Sequence, residues 1–556
     1  MTALAAALRS GDPGRTAPRH GVGGLAGTGA LVRLALRRDR VVLPVWLLGV
    51  AGLAASFAAM TSTGFDTPEE LATEAALMAS TPAVRMTGLM SGGTLGGYAM
   101  ARGYVTLAVL AGLMSVFAVV RHTRQNEELG RAELVGAAVV GRYAGLAAAV
   151  LVTIAANVLL IPLVAAADVV GGLPGDGAWT AGAAVAVVGL SFAGVAAVTA
   201  QLSPSTRAAS GLAGATLGVA FVLSGVGNML GSTDASGDVR SAWPAWLSPI
   251  GWGQQMRAYD TDLWWPALLG LALLAALLGV AAVLIRRRDV GRGLLAERRG
   301  RAGAGRSLAS PLALTFRLQR PVLVGWCVAM VAFGALFGAL GDQVVRGDET
   351  TTAWYEQMGG TEQVAAAFRT SMLLMVGMAV AAYTIQVLLR MRGEEAEGRL
   401  EAVLAAGVTR VRWALGNGAV AVGGTALLMV VFAVAMGATA GDAVGDVVAL
   451  CGAGLVHAAA PVVLGAVVVA VVGLVPRLAT TAGWGTLLAA VLLGPLFGPD
   501  LGAPGWLQRF SPFTSVPKVP AVDVAAGPLL ALAAVAVGLG VVGVVALRRR
   551  DLRLPS

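Results

Sequence analysis

About twelve apolar runs of membrane-crossing length follow one another along the chain, separated by short polar stretches. They cover 41–60, 99–120, 143–167, 179–201, 209–231 and 265–285, then 321–341, 369–389, 413–440, 448–473, 479–498 and 526–547. Each lies near the roughly twenty residues that a helix needs to cross the hydrocarbon of a bilayer. A backbone exposed to lipid must satisfy its own hydrogen bonds, so runs of this kind predict α-helices. The expected fold class is all-α integral membrane, with about 12 transmembrane helices. Residues 1–28, rich in Gly, Ala, Arg and Pro, read as a disordered cytoplasmic tail. Residues 29–40 mix Leu and Arg at helical spacing. They form either an interfacial helix with its arginines toward lipid headgroups or a basic flank that sets topology.

The polar positions contain a repeat. Arg124, Glu127, Gly130, Arg131, Glu133 and Val135 return as Arg392, Glu395, Gly398, Arg399, Glu401 and Val403, each pair 268 residues apart. The same frame holds through Ala137/Ala405, Ala138/Ala406, Val140/Val408 and Arg142/Arg410. Elsewhere the offset changes while the order is kept. Arg37, Arg40, Leu43 and Trp46 match Arg317, Arg320, Leu323 and Trp326; Leu202, Pro204 and Gly211 match Leu474, Pro476 and Gly483. Ser248-Pro249 matches Ser511-Pro512, and the Arg286–Asp289 run matches Arg548–Asp551. Six spans per half make the repeats parallel, with 29–288 as the first half, 289–307 as a cytoplasmic linker and 308–556 as the second half.

Composition narrows the function. Hydrophobic residues make up 57% and charged residues 13% of 556 positions, against about 45–50% and about 25% in soluble domains. That excludes a soluble enzyme. The net charge of +9 resides mainly in arginines flanking the apolar runs. This pattern obeys the positive-inside rule with both termini cytoplasmic, and it offers no nucleic-acid-binding face. Cys327 and Cys451 fall within apolar runs, so neither a disulfide framework nor a zinc site is expected. The single lysine, Lys518, stands in Val-Pro-Lys-Val, so no Walker A loop exists in this sequence. No catalytic or metal-binding residue is expected.

The repeated charged stretch pairs opposite charges at helical spacing, Arg124 with Glu128, Glu127 with Arg131 and Glu395 with Arg399. It is either a self-paired solvated helix or a docking surface. Its recurrence in both halves favours docking. An acidic cluster followed by Gly-x-x-Glu and an Ala-x-x-Val-x-Arg tail, just after the second of six spans, resembles ABC-2-type exporter permeases. The fused, Arg-rich two-half form is similar to actinobacterial exporters of polyketide-type antibiotics and other drugs. Arg131 and Arg399 stand where that pattern has Thr, and no Pro precedes Val140 or Val408.

The resemblance implies a type V exporter fold in the bacterial plasma membrane. Residues 29–40 and 308–320 would be connecting helices. Residues 121–142 and 389–412 would be coupling helices, contacting two copies of a separate P-loop ATPase subunit that binds ATP and Mg. The cargo implied is a lipophilic or amphipathic small molecule. Trp246, Ser248, Pro249 and Trp252, with Trp506, Ser511 and Pro512, form either an outer-leaflet gate or a passive aromatic belt. Asn157, Gln386 and His457 are the polar candidates for a substrate pathway, although a single histidine is as easily a helix–helix hydrogen bond. A proton-coupled secondary transporter is the alternative, since it too can have two six-helix repeats.

Overall fold

The computed structural model describes residues 24–80, 85–86, 88–131, 139–233, 238–287, 293, 303, 305, 310–345, 361–495 and 504–551. Most of the expected tail and of the expected linker, and Glu133, lie outside the described residues. The chain divides into two units, Met1–Arg299 and Gly300–Ser556.

In the first unit α1 (Thr28–Arg38) is followed by α2 (Val42–Ser62), α3 (Pro68–Ser80), α4 (Leu95–His122) and the one-turn α5 (Arg124–Glu128). Then come α6 (Ala144–Val170), α7 (Ala178–Leu202) and α8 (Thr206–Met229). A two-residue antiparallel ladder, β1 (Ser232–Thr233) with β2 (Val239–Arg240), a 3-10 turn (Trp243–Leu247) and α9 (Pro249–Gln254) lead to α10 (Pro266–Arg287). Starts are fixed by hydroxyl caps: Thr94 accepts from Gly97 N and Ser205 from Ala208 N, satisfying amides that have no intrahelical acceptor.

The axis of this unit is α7, packed against α4, α6, α8 and α10. Its small residues permit that position. A Cβ at Gly182 would lie 2.4 Å from the Ile161 carbonyl oxygen, and one at Gly189 would lie 1.7 Å from Asn157 Oδ1. Without a hydrophobic drive inside lipid, close backbone approach of this kind supplies the packing.

In the second unit α11 (Pro311–Val345), α12 (Thr361–Ala396), α13 (Arg399–Ala405), α14 (Arg410–Ala440), α15 (Val444–His457) and α16 (Ala459–Leu474) come first. The 3-10 turn Pro476–Leu478, α17 (Ala479–Leu492), α18 (Gly505–Gln508), the 3-10 turn Pro512–Thr514 and α19 (Ala526–Arg549) complete it. Here α11 packs on α14 through Gly334 and Gly338, and α16 packs on α19 where Gly473 meets Gly543.

Eleven helices among the described residues are long and apolar enough to span a membrane, so the fold is an all-α integral membrane protein. The number is one short of the about twelve expected. The apolar run at 479–498 yields α17 of only 14 residues, about 21 Å of helix. The expected separate helix at 308–320 is also revised, because α11 runs unbroken from Pro311 into its span with Pro321 inside it. In the first unit α1 and α2 are instead divided at Asp39.

A Cβ at Gly338 would stand 2.0 Å from the Met436 carbonyl oxygen, an atom that cannot swing aside, whereas nothing lies within 4 Å of one at Gly52. Gly338→Ala should therefore cost about 1–3 kcal/mol by overpacking, while Gly52→Ala should be neutral or slightly stabilising. Thermal unfolding of the two variants in detergent checks this.

Candidate functional site

The repeated charged stretch forms an elbow at the arginine-bearing end of each unit. In the first, α4 ends at His122, Thr123 interrupts the helix, and α5 carries Arg124 to Glu128. In the second, α12 runs straight through to Ala396 and α13 follows Gly398. Gly130 and Gly398 both have positive φ, 70° and 72°. An L side chain is strained there, which explains why glycine recurs at this place in the repeat.

The elbow charges divide into inward and outward sets. Arg124 is buried and pairs with Glu127 at 2.6 Å. Glu128 accepts from Thr206 N at 2.9 Å, which ties α5 to the start of α8. Glu395 is buried and receives both Arg550 nitrogens, at 2.6 and 2.7 Å, with Arg392 3.9 Å away. The local pairing expected for Glu395 with Arg399 gives way to Arg550, 155 residues on, because a bidentate fork in a buried setting outweighs an exposed i,i+4 pair. Arg399 pairs instead with Glu397, and both are exposed, as are Arg131 and Glu401.

Two anchors here were not singled out in the sequence. Asp39, in the break between α1 and α2, binds Arg121 at 2.9 Å and the His122 ring. Arg38 donates to Asn126 Oδ1 at 2.6 Å. The usable signal was Asp39 itself, the lone carboxylate in an otherwise basic flank. Burial by itself would raise the Asp39 carboxyl. The hydrogen bond and charge of His122, with Arg121 and Arg38, outweigh that and hold it below the usual carboxylate value. At the far side of each elbow an arginine covers the C-terminal carbonyls of the last helix. Arg142 reaches the Arg286 oxygen at 3.5 Å, and Arg410 reaches those of Leu547 and Arg550 at 3.3 and 2.6 Å.

At the opposite ends lie the Trp- and Pro-rich segments. Ser248 caps α9, accepting from Ile250 N and Gly251 N, and donates to the Ala220 carbonyl of α8 at 2.6 Å. Ser511 does the same to the Ala490 carbonyl of α17, also at 2.6 Å. Pro249 and Pro512 follow as the first residues of their short helices, a position that needs no N–H donor. Trp252 Nε1 donates to the Trp246 carbonyl, Trp246 stacks on Trp265 with centroids 5.4 Å apart, and the exposed Trp506 meets Phe510 edge-on. Both segments are thus pinned to the helix before them.

A family model described as "Multidrug efflux system permease Rv1217c, C-terminal domain" matches residues 308–548. The multidrug efflux system permease protein Rv1217c of Mycobacterium tuberculosis is 38% identical over 558 aligned residues, which cover 98% of each chain. The chain belongs to this permease family. It is a multi-pass membrane protein, and the relative's name describes a transport component.

The permease puts its three polar pathway candidates in different settings. Asn157 is fully buried between α4, α6 and α7, its amide donating to Ser115 Oγ and the Thr153 carbonyl at 2.9 Å. The matched position in the second unit, Thr425, makes the corresponding α12–α14 bond to Thr384 at 2.6 Å. His457, at the break between α15 and α16, bonds the Val519 carbonyl at 3.0 Å and so ties the outer segment inward. Gln386 remains exposed, accepting from Trp326 Nε1 at 3.2 Å.

Replacing Glu395 by Gln should cost about 3–5 kcal/mol, because Arg550 is left without its charge partner, and adding Arg550→Met should recover part of that loss. Denaturation of the single and double variants gives the coupling. The Asp39 pairing should be present above the ordinary carboxylate range and vanish as pH falls through its depressed value. The Tm difference between wild type and Asp39→Asn should accordingly persist at about pH 5 and shrink below about pH 4.

Proposed function

We propose that this permease is the membrane subunit of an ATP-driven exporter that moves a lipophilic or amphipathic compound out of the cell. ATP and Mg bind to two copies of a separate P-loop ATPase subunit docked at the two elbows. The observation that carries this reading is the repeated elbow, in which a left-handed glycine delivers outward-facing charges after the second span of each half. Lys518 is the chain's only lysine and lies in the outer segment, which supports placing the nucleotide site on another polypeptide. With the arginine-bearing ends inside the cell, both termini are cytoplasmic and the Trp-rich segments lie at the outer leaflet. Six helices per half, related as parallel repeats, complete the reading, with α17 as a shortened member of the second set.

The elbow geometry narrows the contact residues. Glu395 and Arg124 face inward and set the elbow's shape, whereas Arg131, Arg399 and Glu401 face outward for a partner. Glu133, matched to Glu401, joins that set by sequence. Ser248 and Ser511 hold the two outer segments as gate elements, and Gln386 with Trp326 offers a polar foothold to cargo.

Reversing the charge at Glu133 and Glu401 together should lower ATPase co-purification and stimulation by about tenfold or more while membrane insertion is unchanged. Full ATPase association and turnover in that variant would refute the docking role. Recovery of the chain alone, with efflux that collapses when the proton gradient is removed, would favour a secondary transporter instead.

A further inference from the structure

In the first unit the arginine-bearing ends of α1, α4, α6, α7 and α10 enclose a cavity of about 580 Å³. Its wall has two chemistries. Leu31, Leu34, Leu146 and Ile285 make a hydrocarbon side, while Arg38, Arg131 and Arg142 stand with Glu127 on the other. The acidic charge nearby is already committed. Glu127 pairs with the inward Arg124, and Asp39 is held by Arg121 and His122.

Among the described residues the basic charge is in excess. Arg38 has the neutral Asn126 as its hydrogen-bond partner, and Arg131 makes no ion pair among the described residues. Burial, then the positive charges of Arg131 and Arg121, pull the Arg38 guanidinium below its usual pKa despite Asp39. The burial contribution disfavours any lone charge, but the contributions of Arg131 and Arg121 are a positive field, and that field favours an anion.

We propose that this cavity binds an anionic phospholipid, its phosphate between Arg38 and Arg131 and an acyl chain along Leu31, Leu34 and Leu146. The position suits such a ligand, since arginines flanking the ends of spans stand at headgroup depth. The matched positions in the second unit do not repeat the chemistry. Leu318 replaces Arg38, and Glu394, bound to Arg390 and Trp413, replaces Asn126. The site therefore distinguishes the two halves. The lipid would bridge α1 to the α4–α5 elbow, and a partner docked on Arg131 would compete with it for that guanidinium.

The test is native mass spectrometry of the full chain, delipidated and then offered phosphatidylglycerol and phosphatidylcholine in equal amounts. Phosphatidylglycerol should be retained selectively. Arg38→Ala with Arg131→Ala should reduce that retention about tenfold or more, and Arg477→Ala, an arginine loss outside the cavity, should leave it unchanged. Equal retention of both lipids, or no loss in the double variant, overturns the proposal. Displacement by millimolar inorganic phosphate with no lipid selectivity would assign the site to a free anion and overturn it too. Should the double variant misfold, photoactivatable phosphatidylglycerol on the unaltered protein decides. Labelling within 28–38 or 121–131 supports the site, and labelling confined elsewhere removes it.

Discussion

The buried carboxylate at each elbow is the contact on which the arginine-bearing end of each unit depends. A carboxylate withdrawn from water must find a cation with good geometry or cost several kcal/mol. In the first unit that carboxylate is Asp39, which binds the end of α4 to the junction of α1 and α2. In the second it is Glu395, which binds the end of α12 to the end of α19. The same mechanical problem, fixing the end of the second long helix, is thus solved with different partners. The first anchor thus joins its elbow to the first span of its unit, and the second joins its elbow to the last span.

Around these anchors the duplicated contacts fall into two kinds. Those that set backbone geometry are kept: the left-handed Gly130 and Gly398, the hydroxyls of Ser248 and Ser511 on the preceding helix, and the arginines 142 and 410 on the last helix's carbonyls. The hydrogen bond between the second and third spans is kept in function although the residues changed, Asn157 to Ser115 in one half and Thr425 to Thr384 in the other. Charge placement has diverged. Arg38 and Leu318, or Asn126 and Glu394, occupy matched places with unlike chemistry. Backbone constraints tolerate few residue types, whereas a charge can be moved if a partner moves with it.

That distinction also explains what could be read from the chain beforehand. Helix existence followed from apolar length, and the elbow glycines were visible because the repeat preserved them. The inward or outward direction of each charge was not visible, because it depends on partners distant in sequence: Asp39 meets His122 across 83 residues and Glu395 meets Arg550 across 155. The local i,i+4 rule supplied Arg399 for Glu395, and a buried bidentate partner overrode it. The resemblance set a connecting helix at 308–320 apart from the span that α11 joins to it, and hydropathy gave 479–498 a full span although its helix ends at Leu492. Asn157 draws notice in the sequence as any polar group in a span does, and its amide bonds Ser115 of the neighbouring span and Thr153 of its own helix.

The unequal anchors have a consequence for how the permease uses its two halves. A rigid helix transmits displacement along its length, and α12 runs unbroken for 36 residues to Ala396, directly behind its elbow. The first unit instead interrupts the path at Thr123, so α5 is a separate turn held by the Thr206 amide of α8 and by Arg124 with Glu127. A stiff lever and a jointed one, given equal displacement, move their helices by different amounts. Exchanging residues 121–142 with 389–410 would return a glutamate to Arg550, since Glu127 matches Glu395, but it would take His122 from Asp39 and put Arg390 in its place.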